Sequence, residues 1–183
     1  MKVSTLTLAA SMSVSALAIA GGGDAKAPKP AAEIAERAKV MAGLWKCEGT
    51  SATMDGKEAK FTGSMSSKSD LDGFWVHESF DGTVAGGKFK FETYATFDAS
   101  AKKWRNLMVD NWGGSGLGMS EPMKDGKSEV VYETVGITGK FLVKSHLDVS
   151  DPKKGAHLWG EFSMDGGKTW IKNHDMMCKE YRR

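Results

Sequence analysis

The sequence is poor in the residues from which small catalytic sites are usually built. Its 183 residues include only two cysteines and four histidines, and no two histidines have the short spacing of a local zinc site. It contains no Gly-x-Ser-x-Gly motif, which would indicate a serine nucleophile. The formal net charge of +2 is too small to indicate a surface that binds nucleic acid. We therefore assign no catalytic residue and no metal ligand, and we exclude nucleic acid as a partner.

The only long apolar stretch is at the N-terminus. Met1–Val3 carries one positive charge, residues 6–20 are apolar or small without an acid, and Ala18-Ile19-Ala20 has the small-x-small pattern of a cleavage site. The stretch is shorter than the roughly 20 residues that span a membrane. The pattern predicts a signal peptide over residues 1–20, a flexible linker over residues 21–30 and a periplasmic or secreted protein. A buried N-terminal helix is the alternative. We expect no integral membrane segment in the mature chain.

Residues 31–183 have the length of one domain with a single hydrophobic core. Ala31–Met41 shows the only clear helical periodicity, with Ile34 and Ala38 on one face and Glu33 and Arg37 largely on the other. The remainder has many glycines and scattered aromatic residues, and this composition favours β-structure.

From residue 44 onward, short strand patterns alternate with tight turns. Several turns carry Asp-Gly, which tolerates the positive φ angles of hairpins, and one of these is Asp81-Gly82. Connections this short favour antiparallel neighbours. The predicted strands are residues 44–54, 58–69, 74–80, 88–98, 104–112, 117–121, 128–135, 139–149, 156–163 and 169–181.

The two cysteines indicate how these strands are arranged. Ten antiparallel strands leave two exposed edges unless the sheet closes on itself, and closure pairs the first strand with the last. Cys47 lies on the first predicted strand and Cys178 on the last, and an exported protein with two cysteines most simply forms one disulfide. The fold class is therefore all-β: an antiparallel up-and-down barrel of about ten strands with a short N-terminal helix. Two free buried thiols are the alternative.

Period-two alternation assigns side chains to the two faces of the barrel. Trp45 and Cys47 share a face of the first strand, and both are expected to point inward. On the last strand Cys178 shares a face with His174, so His174 is also expected inside unless a bulge intervenes. The same parity includes Trp170, Lys172 and Met176.

A barrel of ten strands is wide enough to enclose space, and this predicts a site for a small apolar molecule. The residues expected to line the cavity are Trp45, Trp75, Phe89, Phe91, Trp104 and His174. Two other functions remain open. One is an enzyme that acts in the barrel mouth, with His174 or His77 as the acid or base. The other is a packed structural or interaction module without a ligand.

Gly43-Leu44-Trp45, placed between a helix and the first strand, resembles the Gly-x-Trp signature of lipocalins and other calycin barrels. The resemblance implies that the Trp packs across a closed barrel end, with Arg182 or Arg183 covering it. The wider pattern is similar to an uncharacterised family of secreted bacterial proteins, a domain of unknown function from which no activity carries over. Some bacterial calycin barrels bind haem through one inward His. The resemblance leaves the cofactor unknown and makes haem, bound through His174, a candidate.

Residues 163–170, Ser-Met-Asp-Gly-Gly-Lys-Thr-Trp, resemble an Asp-box. In such a segment the Ser and Asp side chains bond to the turn backbone and glycine takes a positive φ. Sialidase propellers carry several of these boxes, whereas this chain has one and is too short for such a propeller. The segment therefore predicts a hairpin turn and no sialidase site.

Overall fold

The structure, a computed structural model, describes residues 27–53, 57–84 and 86–181. The predicted signal peptide, residues 1–20, and residues 21–26 of the predicted linker lie outside these ranges. In these ranges one α-helix is followed by ten strands, and an irregular 3-10 turn at Leu71–Gly73, with positive φ at Leu71 and Asp72, lies between the second and third strands. The elements are α1 (Ala32–Val40), β1 (Gly43–Ala52), β2 (Glu58–Asp70), β3 (Trp75–Val84), β4 (Gly87–Asp98), β5 (Lys103–Asp110), β6 (Ser115–Ser120), β7 (Lys127–Gly136), β8 (Gly139–Asp148), β9 (Ala156–Ser163) and β10 (Ile171–Glu180).

The ten strands form one closed antiparallel barrel. Each strand pairs with its neighbours in sequence, and β1 pairs with both β2 and β10. Closure satisfies the backbone groups that an open meander would expose at its two edges. The prediction of an all-β up-and-down barrel of about ten strands, with a short N-terminal helix, is therefore confirmed. Within the described ranges, no helix has the length and apolar character needed to cross a membrane.

Helix α1 covers part of one end of the barrel. Ile34 and Ala38 on its inner face pack with Val76, Ala95 and Trp104 of the barrel. Burying a side chain the size of Ile contributes about 1.5–3 kcal/mol, so these contacts hold α1 in place. Because α1 leads into β1 and neighbours are antiparallel, odd-numbered strands begin at this end, which we call the α1 end.

The predicted turn at Asp81-Gly82 is wrong, because both residues lie inside β3. Gly82 is the register partner of Gly63 on β2, and the ring of Phe80 packs over both glycines. A Cβ added to Gly63 would lie 2.3 Å from Cζ of Phe80. The two glycines thus make room for an aromatic ring inside the barrel, a role that glycine often has in strands.

The last strand, β10, contains a register shift of the kind that changes which face of the barrel a side chain occupies. The register between β10 and β9 shifts between Lys172 and His174, so the two side chains point to opposite faces. Nζ of Lys172 lies 3.1 Å from a carboxylate oxygen of Asp175 on the outer face. Lys172 and Trp170 therefore do not share the inner face of His174, whereas Met176, which is 3% exposed, does.

The Asp-box segment forms the predicted turn between β9 and β10. The carboxylate of Asp165 accepts hydrogen bonds from the amides of Lys168 and Thr169 and from the hydroxyl of Ser163. The same hydroxyl accepts a hydrogen bond from the amide of Gly167, which has a φ of +90°. These bonds lower the pKa of Asp165 to about 2 because they favour the charged carboxylate.

Candidate functional site

One side of the barrel interior is an apolar wall. The rings of Phe61 and Phe80 lie 5.0 Å apart, and Phe80 stacks on Phe91 with centroids 5.3 Å apart. Phe89 contacts Phe91 at 6.0 Å. Aromatic pairs in these ranges contribute about 0.5–1.5 kcal/mol beyond the area they bury. We call Phe61, Phe80, Phe89 and Phe91 the aromatic wall.

A different set of inward residues lies on the strands from β3 to β7. The hydroxyl of Thr93 donates a hydrogen bond of 3.0 Å to the carboxylate of Glu78, and the two are register partners on β4 and β3. Asn106 donates through Nδ2 to the hydroxyl of Ser120 at 3.1 Å. All four follow the inward parity of their strands, so these strands bring polar groups into the interior beside the apolar Val76, Ala95 and Trp104.

Arg37 extends this polar set from the helix. Its Nη1 donates a hydrogen bond of 3.3 Å to Oδ1 of Asn106, and its guanidinium lies 4.6 Å from the ring centroid of Trp104. Cation–π contacts of this kind contribute about 0.5–2 kcal/mol. No carboxylate in the described ranges forms an ion pair with Arg37. The guanidinium of Arg37 therefore contacts an aromatic ring and an amide group, and its remaining N–H groups can donate to another acceptor.

Tyr132 on β7 is the most enclosed ionisable group of this set. It is 5% exposed, and burial raises the pKa of its hydroxyl, with the charge of Glu78 adding to the rise and that of Arg37 opposing it. Within the described ranges the hydroxyl has no hydrogen-bond partner. We call Arg37, Glu78, Asn106 and Tyr132 the polar cluster.

Two further inward hydroxyl groups are also unsatisfied. Oγ1 of Thr134, two residues after Tyr132 on β7, and Oγ of Ser67 on β2 are both buried without a hydrogen-bond partner in the described part of the chain. A buried polar atom left unpaired costs about 1–3 kcal/mol. Such atoms call for a partner from outside the protein, either water or a bound molecule.

His174 lies inside the barrel on β10. Its ring packs over Gly160, where an added Cβ would lie 2.5 Å from Cε1 of His174, and meets Phe61 edge-on at 6.0 Å. Burial lowers the pKa of His174 to about 4, with Asp175 opposing the shift and His146 adding to it. The imidazole is thus neutral at neutral pH, and neither ring nitrogen has a hydrogen-bond partner within the described ranges.

The structure divides the predicted cavity residues between the two faces of the barrel. Trp45, Phe89, Phe91, Trp104 and His174 all lie on the inner face. Trp45 donates from Nε1 to the carbonyl oxygen of Met41 at 3.0 Å, which places it at the α1 end. Arg182 and Arg183, one of which is expected to cover Trp45, lie outside the described residues.

Trp75 lies on the outer face. It precedes the fully buried Val76 on β3, and its ring meets that of Tyr94 edge-on, with centroids 6.4 Å apart. His77 is on the same outer face, where Nε2 lies 2.5 Å from the carboxylate of Glu92 and the ring stacks on Tyr94 at 4.5 Å. His77 and His174 are therefore on opposite sides of the barrel wall.

Sequence reasoning missed a stack of three rings on the outer face. Trp159 lies between His146 and His157, at centroid distances of 4.7 and 4.6 Å. Nε2 of His157 is 2.8 Å from the carboxylate of Asp175, and Nδ1 of His146 is 3.3 Å from that of Glu129. His146 on β8 and His157 and Trp159 on β9 all have outward parity, and residues 149–155 join the two strands. This pattern in the sequence could have predicted that the three rings lie together.

Two clefts, of about 770 and 410 Å³, are lined by residues of both faces of the barrel, and the smaller one includes Thr134. His146 and Trp159 line the larger one, which also has Met119, Val131 and several charged side chains around it. None of the predicted cavity residues lines either cleft. Within the described ranges, no group of three or more His, Cys, Asp or Glu is arranged to hold a metal ion.

Comparisons with known proteins agree with a barrel of undetermined activity. The sequence profile of the family described as "Protein of unknown function (DUF1579)" matches residues 35–141, more than half of the chain. The chain belongs to the DUF1579 family. The match begins in α1 and ends in β8, so it includes every residue of the polar cluster. No protein in the comparison with curated sequences matches the chain.

The DUF1579 barrel is also similar to a solved structure, described as "Crystal Structure of Rv2717c from M. tuberculosis". The TM-score is 0.62 with 6% sequence identity, and the match covers 84% of this chain and 100% of the other. At this level of identity the likeness concerns the fold alone.

Proposed function

We propose that the interior of the DUF1579 barrel binds a small amphipathic molecule. The aromatic wall contacts the apolar body of the ligand, and the polar cluster orients a hydrogen-bond-accepting group. Removal of apolar surface from water drives such binding, at about 25 cal/mol per Å², while a few buried polar groups set the orientation. The resemblance to calycin barrels, which commonly carry ligands inside, supports the same function.

One observation carries this proposal: several inward polar groups have no protein partner. The hydroxyls of Thr134 and Ser67 are buried without a hydrogen-bond partner in the described part of the chain. The largely buried Tyr132 hydroxyl and His174 imidazole also face the interior and accept or donate no hydrogen bond within those ranges. Their placement inside an otherwise well-paired barrel suits a site that is completed by a ligand. A solid interior would be expected to pair such groups with each other or to replace them by apolar side chains.

The charge near Tyr132 favours a ligand with an acceptor group. Arg37 makes one hydrogen bond to Asn106 and no ion pair in the described part of the chain, so it keeps donors for a carboxylate or carbonyl oxygen. The Tyr132 hydroxyl can donate to the same group. Glu78 accepts from Thr93 and sets the opposite edge of the cluster, where a donor on the ligand is preferred.

The rings also define a route between the interior and the end of the barrel opposite α1. Trp112 follows β5 at that end and is 49% exposed. Its ring lies 4.7 Å from that of Phe89, which contacts the rest of the aromatic wall. An apolar molecule that enters at this end meets a continuous aromatic surface.

We also propose that the protein is exported before it binds its ligand. The N-terminal residues match a signal peptide, and the disulfide between Cys47 and Cys178 is of the kind that persists in oxidising compartments. Mass spectrometry of protein isolated from the native cell should find a mature N-terminus near Gly21. A chain that retains residues 1–20 in the cytoplasm contradicts this part of the proposal.

His174 supports haem as a second candidate ligand. A neutral imidazole with unpartnered nitrogens is the form that ligates metals, and His174 is in that form inside the barrel. Addition of haem to the purified protein should then produce a Soret band that His174→Ala removes and His157→Ala, on the outer face, retains. A spectrum identical to that of free haem excludes this candidate.

The main test compares two tyrosines in the same barrel. Native mass spectrometry of protein purified from its own source should show a retained small molecule. A dansyl-labelled undecanoic acid serves as the probe in fluorescence titrations of the delipidated protein. Tyr132→Phe should weaken binding about 3–10-fold, the loss expected for one hydrogen bond. Tyr94→Phe, on the outer face, should leave the affinity unchanged.

Arg37 is tested with the same probe and its neutral methyl ester. Arg37→Met should weaken binding of the acid by about 10–100-fold, since a charged hydrogen bond is lost, and should affect the ester much less. A protein that carries no molecule from its source and binds neither probe contradicts the proposed function. Equal effects of Tyr132→Phe and Tyr94→Phe contradict the assignment of the site.

A further inference from the structure

The outer face of β5, β6 and β7 is apolar although it faces water. Leu117 on β6 is 65% exposed and Met119 is 47% exposed. Leu117 is the register partner of Leu107 on β5, and Met119 is the partner of Val131 on β7. These residues alternate with the inward Asn106, Gly118 and Tyr132. We call Leu107, Leu117, Met119 and Val131, with the exposed Val109 and Val135, the β6 patch.

On the opposite side of the barrel, the outer face carries the polar side chains that are usual where a strand faces water. The outward residues of β2 include Thr62, Ser64 and Ser66, and Ser66 shares a hydrogen bond of 2.8 Å with Ser79 on β3. A single barrel thus has one polar outer side and one apolar outer side. Contiguous exposed apolar surface of this kind marks an interaction site more often than chance exposure does.

Charges of opposite sign stand on the two sides of the β6 patch. Lys103 and Arg105 point outward from β5, whereas Glu129 and Glu133 point outward from β7 together with Lys127, whose charge is paired with Asp148 at 3.2 Å. Lys103 pairs with Glu121 at 2.8 Å, and Glu129 pairs with His146. Arg105 and Glu133 are both exposed, and neither forms an ion pair within the described ranges.

We propose that a second copy of this chain covers the β6 patch, related by a two-fold axis that lies in the interface and runs parallel to β6. This rotation exchanges the β5 and β7 sides and keeps each residue at its level along β6. Arg105, level with Met119, therefore faces the β7 side of its partner one outward register pair away from Glu133, which is level with Leu117, and the two long side chains can span that offset. Leu117 and Met119 lie on the axis and meet their own symmetry mates, as an isologous contact requires. A two-fold axis perpendicular to β6 would instead bring β5 against β5, so that the side carrying Lys103 and Arg105 would face the same basic side of the partner.

The charge layout therefore selects one dimer and one orientation, because complementary charges fix the register of an interface and like charges oppose the wrong one. The interaction does not depend on what the barrel interior binds. It leaves both ends of the barrel free, since the patch lies on the side wall.

The oligomeric state of the mature protein tests the proposal. Sedimentation equilibrium of the purified protein should give a dimer mass at micromolar concentration. Leu117→Glu places a charge on the axis and should convert the protein into a monomer with an unchanged circular dichroism spectrum. Leu44→Glu is the matched control, because Leu44 is 50% exposed on β1, away from the patch, and it should leave the dimer intact.

Charge reversal tests the orientation. Arg105→Glu and Glu133→Arg should each weaken the dimer at least tenfold, because every dimer contains the contact twice, and the double variant should restore most of the lost affinity. A double variant as weak as the two singles combined overturns the orientation. A wild-type protein that stays monomeric at all concentrations overturns the proposal. A monomer that co-sediments with lipid vesicles, or one that dimerises only after residues 21–30 are removed, also overturns it.

Discussion

Cys47 and Cys178 are 131 positions apart in the sequence and are direct register partners in the barrel. Their Cα atoms lie 4.0 Å apart and their sulfur atoms are bonded, at the seam where β1 meets β10. Both side chains point inward and are almost fully buried beside Met65 and Ala156. The crosslink therefore joins the first and last strands within the core of the barrel.

Replacing both cysteines by alanine should lower the free energy of unfolding by up to about 4–5 kcal/mol, because the long loop is no longer restricted in the unfolded chain. Urea titrations followed by circular dichroism measure this difference. The native spectrum should persist, since seven register pairs join β1 to β10 without the crosslink. A loss below about 1 kcal/mol would mean that the unfolded chain gains little freedom when the bond is removed.

Gly63→Ala should destabilise the barrel by about 1–3 kcal/mol, the usual range for overpacking a core. The new methyl group would overlap the ring of Phe80. Gly87→Ala is the control, because its Cβ would come no closer than 3.6 Å to any heavy atom, and it should change stability much less. Thermal unfolding compares the two variants.

Combining Gly63→Ala with Phe80→Leu tests the same contact from its other side. Phe80→Leu alone should be destabilising, but the double variant should lose less than the sum of the two, because a smaller side chain leaves room for the methyl group. Strict additivity would show that the ring and the glycine are not coupled.

His174 should make stability depend on pH in a defined window. Its pKa is about 4 in the folded protein and about 6.5 in an unfolded chain, so the unfolded chain binds the proton first as the pH falls. The contribution is complete above about pH 6.5 and is lost progressively between pH 6.5 and pH 4, with a limit on the order of 3 kcal/mol. Asp148 and Asp165, with pKa values lowered to about 2, lose their contributions only below about pH 4.

Urea titrations at several pH values measure this dependence. His174→Gln should flatten the decrease in the free energy of unfolding between pH 6.5 and pH 4. His157→Gln, on the outer face, is the matched control and should retain that component. An NMR titration in which His174 takes up its proton near pH 6.5 would contradict the predicted shift.

The sequence predicts the barrel well because its signals are local and agree with each other. Phe89 and Phe91 alternate with lysines along one strand, and turn residues separate the strands at short intervals, so antiparallel order follows. The two cysteines then supply the one long-range relationship that closure requires. The exception at Asp81-Gly82 is also local. These two residues have the composition of a turn, but the strand continues through them and Gly82 makes room for the ring of Phe80.

The candidate site is harder to derive from the sequence. Alternation places His174 and Trp104 inside, but Trp75 shows that the parity of an aromatic residue cannot be read when the turn beside it is irregular. Arg37 belongs to a helix whose position relative to the barrel has no sequence signal, so its approach to Asn106 and Tyr132 could not be expected. The unsatisfied hydroxyls have no signature at all, because pairing depends on atoms from distant strands.

Local patterns in the sequence establish the strand order, most of the hairpin turns, the pairing of the two cysteines and the faces of most strands, since each depends on neighbouring residues or on closure of a meander. Three properties follow only from the folded barrel: which polar groups share its interior, where α1 places Arg37, and the apolar outer side with opposite charges at its margins. Those properties depend on distances between residues that only the curvature of the closed sheet brings together.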